Sequence, residues 1–322
     1  MRRSQRIVVI LATLLVLLVV GPLVIPFPPA GGTLPAEELA DPDSRFVQVG
    51  DLRVHYKLAG QGKPVLVLLH GMGASVFSWR EVMAPLAQSR TVIAFDRPGF
   101  GLTSRPMPGD WQGESPYSAE SQVNLTVGLL DAQGIQKAVL VGHSAGGSIA
   151  VLTALRFPER VSALVLVSPA VYGSGGGPSW LRPLLAIPHV RRWGPLFVRW
   201  LASRGESLLA SAWHDPKRIQ PDALAGYAKG WKVDNWDRAL WEFALAGRPL
   251  GLEAQLDRLR VPTLVITGDD DRWVPTEQSV RLAREVPDAE LVVLQACGHL
   301  AQEEQPAEFL AATEKFLGEL PR

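Results

Sequence analysis

Three patterns of apolar and polar positions follow one another along the chain. The first is a continuous apolar run, "IVVILATLLVLLVVGPLVI" over residues 7–25, with no charge and no polar face. At ~1.5 Å rise per residue it predicts a helix of roughly 28 Å, about the hydrocarbon thickness of a bilayer. The second is a series of short Val/Leu/Ile-rich runs. "RFVQVGD" and "LRVHYKLAG" predict a strand pair, and "PVLVLLHG", "RTVIAFDRPG", "KAVLVGHS" and "VSALVLVSP" predict buried strands. Between them lie helical stretches near 76–88, 117–133 and 145–157. Near-continuous apolar strands separated by helices imply a mainly parallel sheet covered on both faces. The third pattern, from Val171 to Leu250, shows no strand and reads as a helical insertion. The strand–helix alternation then resumes with "VPTLVITG", a helix near 276–286, "AELVVLQACGH" and a helix near 303–318.

These boundaries predict an N-terminal anchor (1–25), a linker (26–43), a core in two parts (44–170 and 251–322) and the insertion (171–250). The linker reading rests on the Pro, Gly and acidic residues of "IPFPPAGGTLPAEELADPD". Arg2, Arg3 and Arg6 precede the apolar run, so the short flank is expected to stay cytoplasmic and the domain to lie on the other side. A cleaved signal peptide followed by secretion is the competing reading. Its apolar core is usually about 7–15 residues with a small-residue cleavage site close behind, whereas this run is longer and ends in "PFPPAGG".

Composition adds little beyond this. The chain has 322 residues, 47% hydrophobic, and its 32 basic and 32 acidic residues balance. It is globular in composition, with no global nucleic-acid signal. Cys297 is the single cysteine, so no intrachain disulfide can form; a small buried core residue is the reading taken for it. No metal-ligand cluster, phosphate loop or dinucleotide fingerprint is found, and no cofactor is expected. Oligomeric state is left open.

Chemistry concentrates at Gly142-His143-Ser144-Ala145-Gly146, a G-x-S-x-G pattern with a strand before it and a helix after it. A sharp strand-to-helix turn would lift the Ser144 hydroxyl off the sheet edge, with small flanking residues leaving room for the backbone. A serine needs a base. Of six histidines, His299 in "CGHLAQEE" follows the last strand, where a loop can reach Ser144. A third, acidic member would orient the imidazole, and "TGDDDRWVP" offers Asp269, Asp270 and Asp271 at a strand end. Two of those three are expected to be a solvated acidic turn.

With these residues in place the chain resembles the α/β-hydrolase superfamily, in its branch with a helical cap. The resemblance covers about 45–320. It implies an α/β fold with a mostly parallel eight-stranded sheet and a cap inserted after strand 6. The family's acid stands in G-x-x-D-x-x-V-P, which Gly268, Asp271, Val274 and Pro275 match. The resemblance therefore implies a triad of Ser144, Asp271 and His299 in the family's order. It also implies an oxyanion hole from the backbone amides of Ala145 and Met72, the latter following His70-Gly71. "DRPGFGLTS", from Asp96, is a further family signature whose Asp96 and Arg97 brace loops. His70, Gly71, His143, Trp273 and Leu300 are the candidate substrate contacts.

Serine at the elbow, where the family's dehalogenases and epoxide hydrolases carry aspartate, points to acyl transfer to water. The expected activity is hydrolysis of a small, apolar carboxylic ester. The alternative is carbon–carbon bond hydrolysis of aromatic ring-cleavage products, whose enzymes "DDRWVP" and "CGHLAQEEQPAEF" resemble. Two departures count against it: those enzymes usually carry Trp where this chain has Leu300, and their oxyanion loop is richer in Gly and Pro than "HGMGASVFSW". A non-catalytic binding or receptor role on the same fold is the alternative of another class. It predicts a lost triad residue, and none is lost.

The insertion holds seven of the ten tryptophans: Trp180, Trp193, Trp200, Trp213, Trp231, Trp236 and Trp241. They are expected to be mostly core, with a few facing substrate. It also carries eleven Lys/Arg against six Asp/Glu. "LRPLLAIPHVRRWGPLFVRWLASR" has the composition of an interfacial helix. An ordinary cap helix with solvated arginines is the reading taken, and the basic cap surface is kept as a second candidate contact with the membrane.

Overall fold

The computed structural model describes residues 3–173 and 182–320; Arg2 and Trp180 lie outside the described residues. An N-terminal helix, α1 (Arg3–Val24), precedes the core. The core then runs β1 (Arg45–Val49), β2 (Leu52–Ala59), β3 (Leu66–Leu69), α2 (Arg80–Leu86), β4 (Val92–Phe95), α3 (Ala119–Ala132), β5 (Ala138–His143), α4 (Ala145–Arg156) and β6 (Val161–Val167). The cap follows as α5 (Arg182–Leu185), α6 (Pro188–Ala202), α7 (Gly205–Ala212), α8 (Ala223–Ala228) and α9 (Trp236–Ala246). The chain closes with β7 (Thr263–Gly268), α10 (Thr276–Glu285), β8 (Ala289–Leu294), α11 (Ala301–Glu304) and α12 (Pro306–Glu319).

The eight strands form one sheet in the order β1-β2-β4-β3-β5-β6-β7-β8. β1 and β2 are antiparallel, β2 pairs antiparallel with β4, and every other pair is parallel. Side chains alternate across the pleat, so both faces of the central strands need cover. In β3, Val67 and Leu69 pack with Leu129, Leu130 and Ile149 of α3 and α4. Leu66 and Leu68 pack on the other face with Leu86 of α2 and Phe309 and Phe316 of α12. This double burial explains the unbroken apolar strands.

From β3 the chain turns one way to β4 and then crosses back to β5. That reversal opens a crevice at the carboxyl ends of the strands, where ligands of open α/β sheets bind. The cap enters after β6 and lies across this edge. Trp213, Trp236 and Trp241 are buried, Trp193 packs beside Phe27, and Trp200 is half exposed.

The stretch after α1, read as a linker, is packed against the rest of the protein. Leu34 forms a bridge with Val233 of the cap, its N–H donating to the Lys232 carbonyl at 2.7 Å. The Phe27 ring lies under the guanidinium groups of Arg199 and Arg238. Asp41 pairs with Lys57 of β2 and Lys229 of the cap, and Glu37 pairs with Arg53. Residues 26–43 are thus a strap tying α1, cap and sheet together. Their composition permitted a loop; its partners lie in the cap, far away in sequence.

Candidate active site

Ser144 stands between β5 and α4 with φ 52° and ψ −120°, backbone that a non-glycine residue rarely adopts. Such strain costs of order 1–3 kcal/mol and persists only where its surroundings enforce it. Here the enforcement is close packing. The Ser144 N–H donates to the Val167 carbonyl at 2.9 Å. A Cβ on Gly146 would lie 2.2 Å from the Leu69 carbonyl oxygen, and one on Gly142 2.6 Å from the Gly147 Cα. The glycines supply room, while the positive φ falls on the serine.

His299 follows β8. Its Nδ1–H donates to Asp271 Oδ2 at 2.8 Å and Oδ1 at 3.0 Å. An ionised carboxylate only accepts, so the hydrogen resides on Nδ1 and Nε2 keeps its lone pair. Asp271 Oδ1 also accepts from the backbone of Trp273 at 3.0 Å and Val274 at 2.9 Å. Burial pushes the Asp271 carboxyl up. The hydrogen bond and charge of His299, together with the Val274 and Ser168 bonds, outweigh it and hold the group below its ordinary value. The Trp273 ring stacks on the His299 imidazole at 5.5 Å and 27°.

His143 and Gly71 complete the immediate shell. The buried His143 ring lies 4.7 Å from that of His299, and its Nε2–H donates to the His299 carbonyl at 3.0 Å. Burial first, then the neighbouring His299, lowers its pKa to about 3, so it stays neutral. A Cβ on Gly71 would meet His143 Nδ1 at 2.8 Å and Ser144 Cβ at 3.2 Å. The loop carrying Met72 therefore crosses directly over Ser144. The Met72 side chain itself is exposed.

One candidate substrate contact has other work. His70 is fully buried, donating from Nδ1 to the Gly71 carbonyl at 2.7 Å and accepting the Arg97 N–H on Nε2 at 3.0 Å. Burial and the Arg97 charge lower its pKa to about 3. Both ring nitrogens are engaged, so His70 shapes the loop that carries Met72 and has no polar atom left for a ligand. Leu300 packs with Ala212 and Trp213 of the cap. Cys297 is fully buried in the core.

The neighbouring Asp269 and Asp270 form a turn, exposed and half-exposed, as expected of two of the three aspartates, and each also has a partner. Asp269 accepts from the Cys297 N–H at 3.2 Å. Asp270 pairs with Arg272 and with His214 of the cap. Glu304 was not singled out from the sequence, although its position in a polar pair just after His299 is a visible signal. Its buried carboxylate accepts from Gly298 N at 2.7 Å, Asp215 N at 3.0 Å and His214 N at 3.1 Å. With His299 N–H donating to the Ala212 carbonyl at 2.7 Å, it ties the histidine loop to the end of α7. A cavity of about 620 Å³ lined by Lys57, Phe77, Arg80 and Lys229 lies between strap, sheet edge and cap, and does not include Ser144 or His299.

A family model described as "alpha/beta hydrolase fold" matches residues 64–306. The chain belongs to the α/β-hydrolase family. This α/β-hydrolase is 34% identical over 290 residues to the 2-hydroxymuconate semialdehyde hydrolase of Pseudomonas sp. (strain CF600), covering 85% of this chain and 94% of that one. It is similar to the solved meta-cleavage product hydrolase CumD from Pseudomonas fluorescens IP01, at 28% identity and TM-score 0.65 over 86% of this chain and 98% of that chain. It is also similar to the structure of a membrane phospholipase A, described as a bacterial virulence factor, at 26% identity and TM-score 0.68. That match extends over 99% of this α/β-hydrolase and 98% of the phospholipase chain.

Proposed function

We propose that this hydrolase cleaves a bond beside a carbonyl through an acyl-enzyme on Ser144, on the outer side of a membrane that α1 enters. His299 takes the serine proton as Oγ attacks the carbonyl carbon, and Asp271 stabilises the resulting imidazolium. The amides of Met72 and Ala145 hold the oxyanion. His299 then returns the proton to the leaving group, and water, deprotonated by the same base, releases the acid.

Two substrate classes fit this sequence of steps. The curated relatives with named activities support carbon–carbon hydrolysis of ring-cleavage products better than the ester reading set out first from the sequence, and we place it first. The observation that carries it is the 34% identity to 2-hydroxymuconate semialdehyde hydrolase along nearly the whole of that enzyme. On this reading His299 delivers its proton to carbon as the dienolate leaves.

A specific observation favours an ester of a membrane lipid as the second reading. The phospholipase match takes in 99% of this chain, against 85% for the semialdehyde hydrolase. The additional share of this chain brings in the N-terminal region, where the anchor lies.

The test is a parallel assay of the full-length protein on 2-hydroxymuconate semialdehyde, a p-nitrophenyl ester series and phospholipid vesicles, with Ser144→Ala as control. Loss of the dienol chromophore, absent in the control, would support carbon–carbon hydrolysis. Turnover of esters or phospholipid alone would replace it with the second reading. No turnover of any of the three would move the protein to the binding role.

A further inference from the structure

We infer that α6 of the cap is a membrane-interface helix, whose outer face rests in the headgroup region of an anionic bilayer beside the point where α1 enters. The inference rests on the proposed reading of α1 as a membrane anchor. It is independent of which bond the active site cleaves.

Contacts between the two helices carry it first. His189 Nε2–H of α6 donates to the Val19 carbonyl, Trp193 Nε1–H to the Pro22 carbonyl at 2.8 Å, and Arg192 Nη2–H to the Ile25 carbonyl at 2.7 Å. Phe27 packs against Trp193 at 5.8 Å between ring centroids. The apolar run ends at Ile25, so Val19 sits about 9 Å inside its end at helical rise. An interfacial helix buries its apolar face about 5–10 Å into the headgroup–acyl boundary. An α1 that spans the bilayer therefore carries the first turns of α6 to interfacial depth. No separate docking step is required.

The surface of α6 fits that depth. Val190, Leu196, Phe197, Trp200 and Leu201 are exposed, Phe197 at 57% and Trp200 at 50%. At 100° per residue they form one stripe of roughly 140°. Trp193, covered by the end of α1, lies within the same stripe, so the exposed part continues a face that the anchor already occupies. The opposite side is committed to protein: Pro195 is buried there, and Arg191 and Arg199 pair with Glu242 and Asp237 of α9. The helix carries no acidic residue, and with Arg191 and Arg199 paired to α9, Arg192 is its arginine next to the stripe, bonded to the end of α1. Arg204, just beyond its end, stacks over the Trp200 ring at 4.6 Å. Aromatic and aliphatic side chains flanked by arginines suit the boundary between acyl chains and anionic headgroups. Only Ser203 and Arg204 separate α6 from α7, and the far end of α7 holds the His299 loop.

The test places nitroxide labels on the full-length chain in nanodiscs containing phosphatidylglycerol. Cys297→Ala removes the native thiol. Single cysteines at Phe197→Cys and Trp200→Cys report on α6, Leu14→Cys on the anchor and Gln112→Cys on an exposed core position. Labels at 197 and 200 are expected to be severalfold less accessible to an aqueous nickel chelate, and more accessible to oxygen, than the label at 112. Water-like accessibility at 197 and 200 with position 14 protected would overturn the inference and leave the anchor standing. Water-like accessibility at position 14 as well would remove the anchor reading and the inference with it. Protection accompanied by spin–spin broadening that vanishes on dilution with unlabelled protein would assign the face to a second copy, which also overturns it. Quenching of native tryptophan by lipids brominated near the headgroup needs no cysteine variant. It is expected to fall in Trp200→Phe, and an unchanged quench would count against the inference.

Discussion

At the scale of single residues, the site separates chemistry from support. Ser144 combines its reactive position with a positive φ of 52°. Two substitutions separate these. Ser144→Ala should lower turnover by a factor on the order of 10⁴–10⁶. Ser144→Gly should abolish it equally and raise stability by about 1 kcal/mol, since glycine adopts that backbone without strain; thermal melts of the two variants check this. Glu304 gives a different signature. Its carboxylate serves three backbone N–H groups across the histidine loop and the cap, and the amide of Glu304→Gln accepts on one oxygen only. Loss of orientation at His299 should lower kcat ~10-fold or more with little change in KM. Steady-state kinetics on whichever substrate is turned over would show it, and equal kinetics would confine Glu304 to a structural role.

At the scale of elements, stability rests on close approaches between pieces far apart in sequence. α6 meets α9 where Gly194 faces Trp241. Gly194→Leu would push a side chain into that ring, an overpacking expected to cost about 1–3 kcal/mol. A lowered melting temperature, read by cap tryptophan fluorescence, is the expected result. Asp96 performs a comparable task among the loops. It accepts from His55 Nδ1 at 2.6 Å, Val76 N at 2.7 Å and Leu102 N at 2.7 Å. Burial pushes this carboxyl up, but the hydrogen bond and charge of His55 outweigh it and hold the pKa at about 2. A carboxyl with a depressed native pKa binds its proton more readily in the unfolded chain. It therefore adds stability at pH above about 4, and that stability is lost as pH falls toward 2. The loss amounts to about 2 kcal/mol. In Asp96→Asn the stability curve should be flatter between pH 4 and 2, measured by urea unfolding.

At the scale of the molecule, the strap over residues 26–43 joins α1, cap and sheet. A chain beginning at residue 45 lacks the Leu34 bridge, the Asp41 pairs with Lys57 and Lys229, and the Ser44 bond to His55 at 2.8 Å. A chain beginning at residue 26 keeps all of them. The shorter chain should melt lower, with the cap loosening first, and differential scanning calorimetry of the two would check it. Similar melts would mean that the strap merely lies on the surface.

Much of the fold was legible because its causes are local. Unbroken apolar strands, a serine between glycines at a strand-to-helix turn and a histidine after the last strand are patterns within a few residues of each other. Burial on both faces and the crossing of backbones at the elbow write them directly into the chain. The α/β sheet and the residues of the elbow were therefore readable before any coordinates. Only the tertiary structure decided that His70 is consumed by Gly71 and Arg97, that Leu300 packs on the cap, that Glu304 clamps the histidine loop and that an apparent linker is a strap. Each of these depends on a partner distant in the chain. A side chain's hydrogen bonds and burial are set by what the fold brings beside it, and local pattern carries no record of that neighbour.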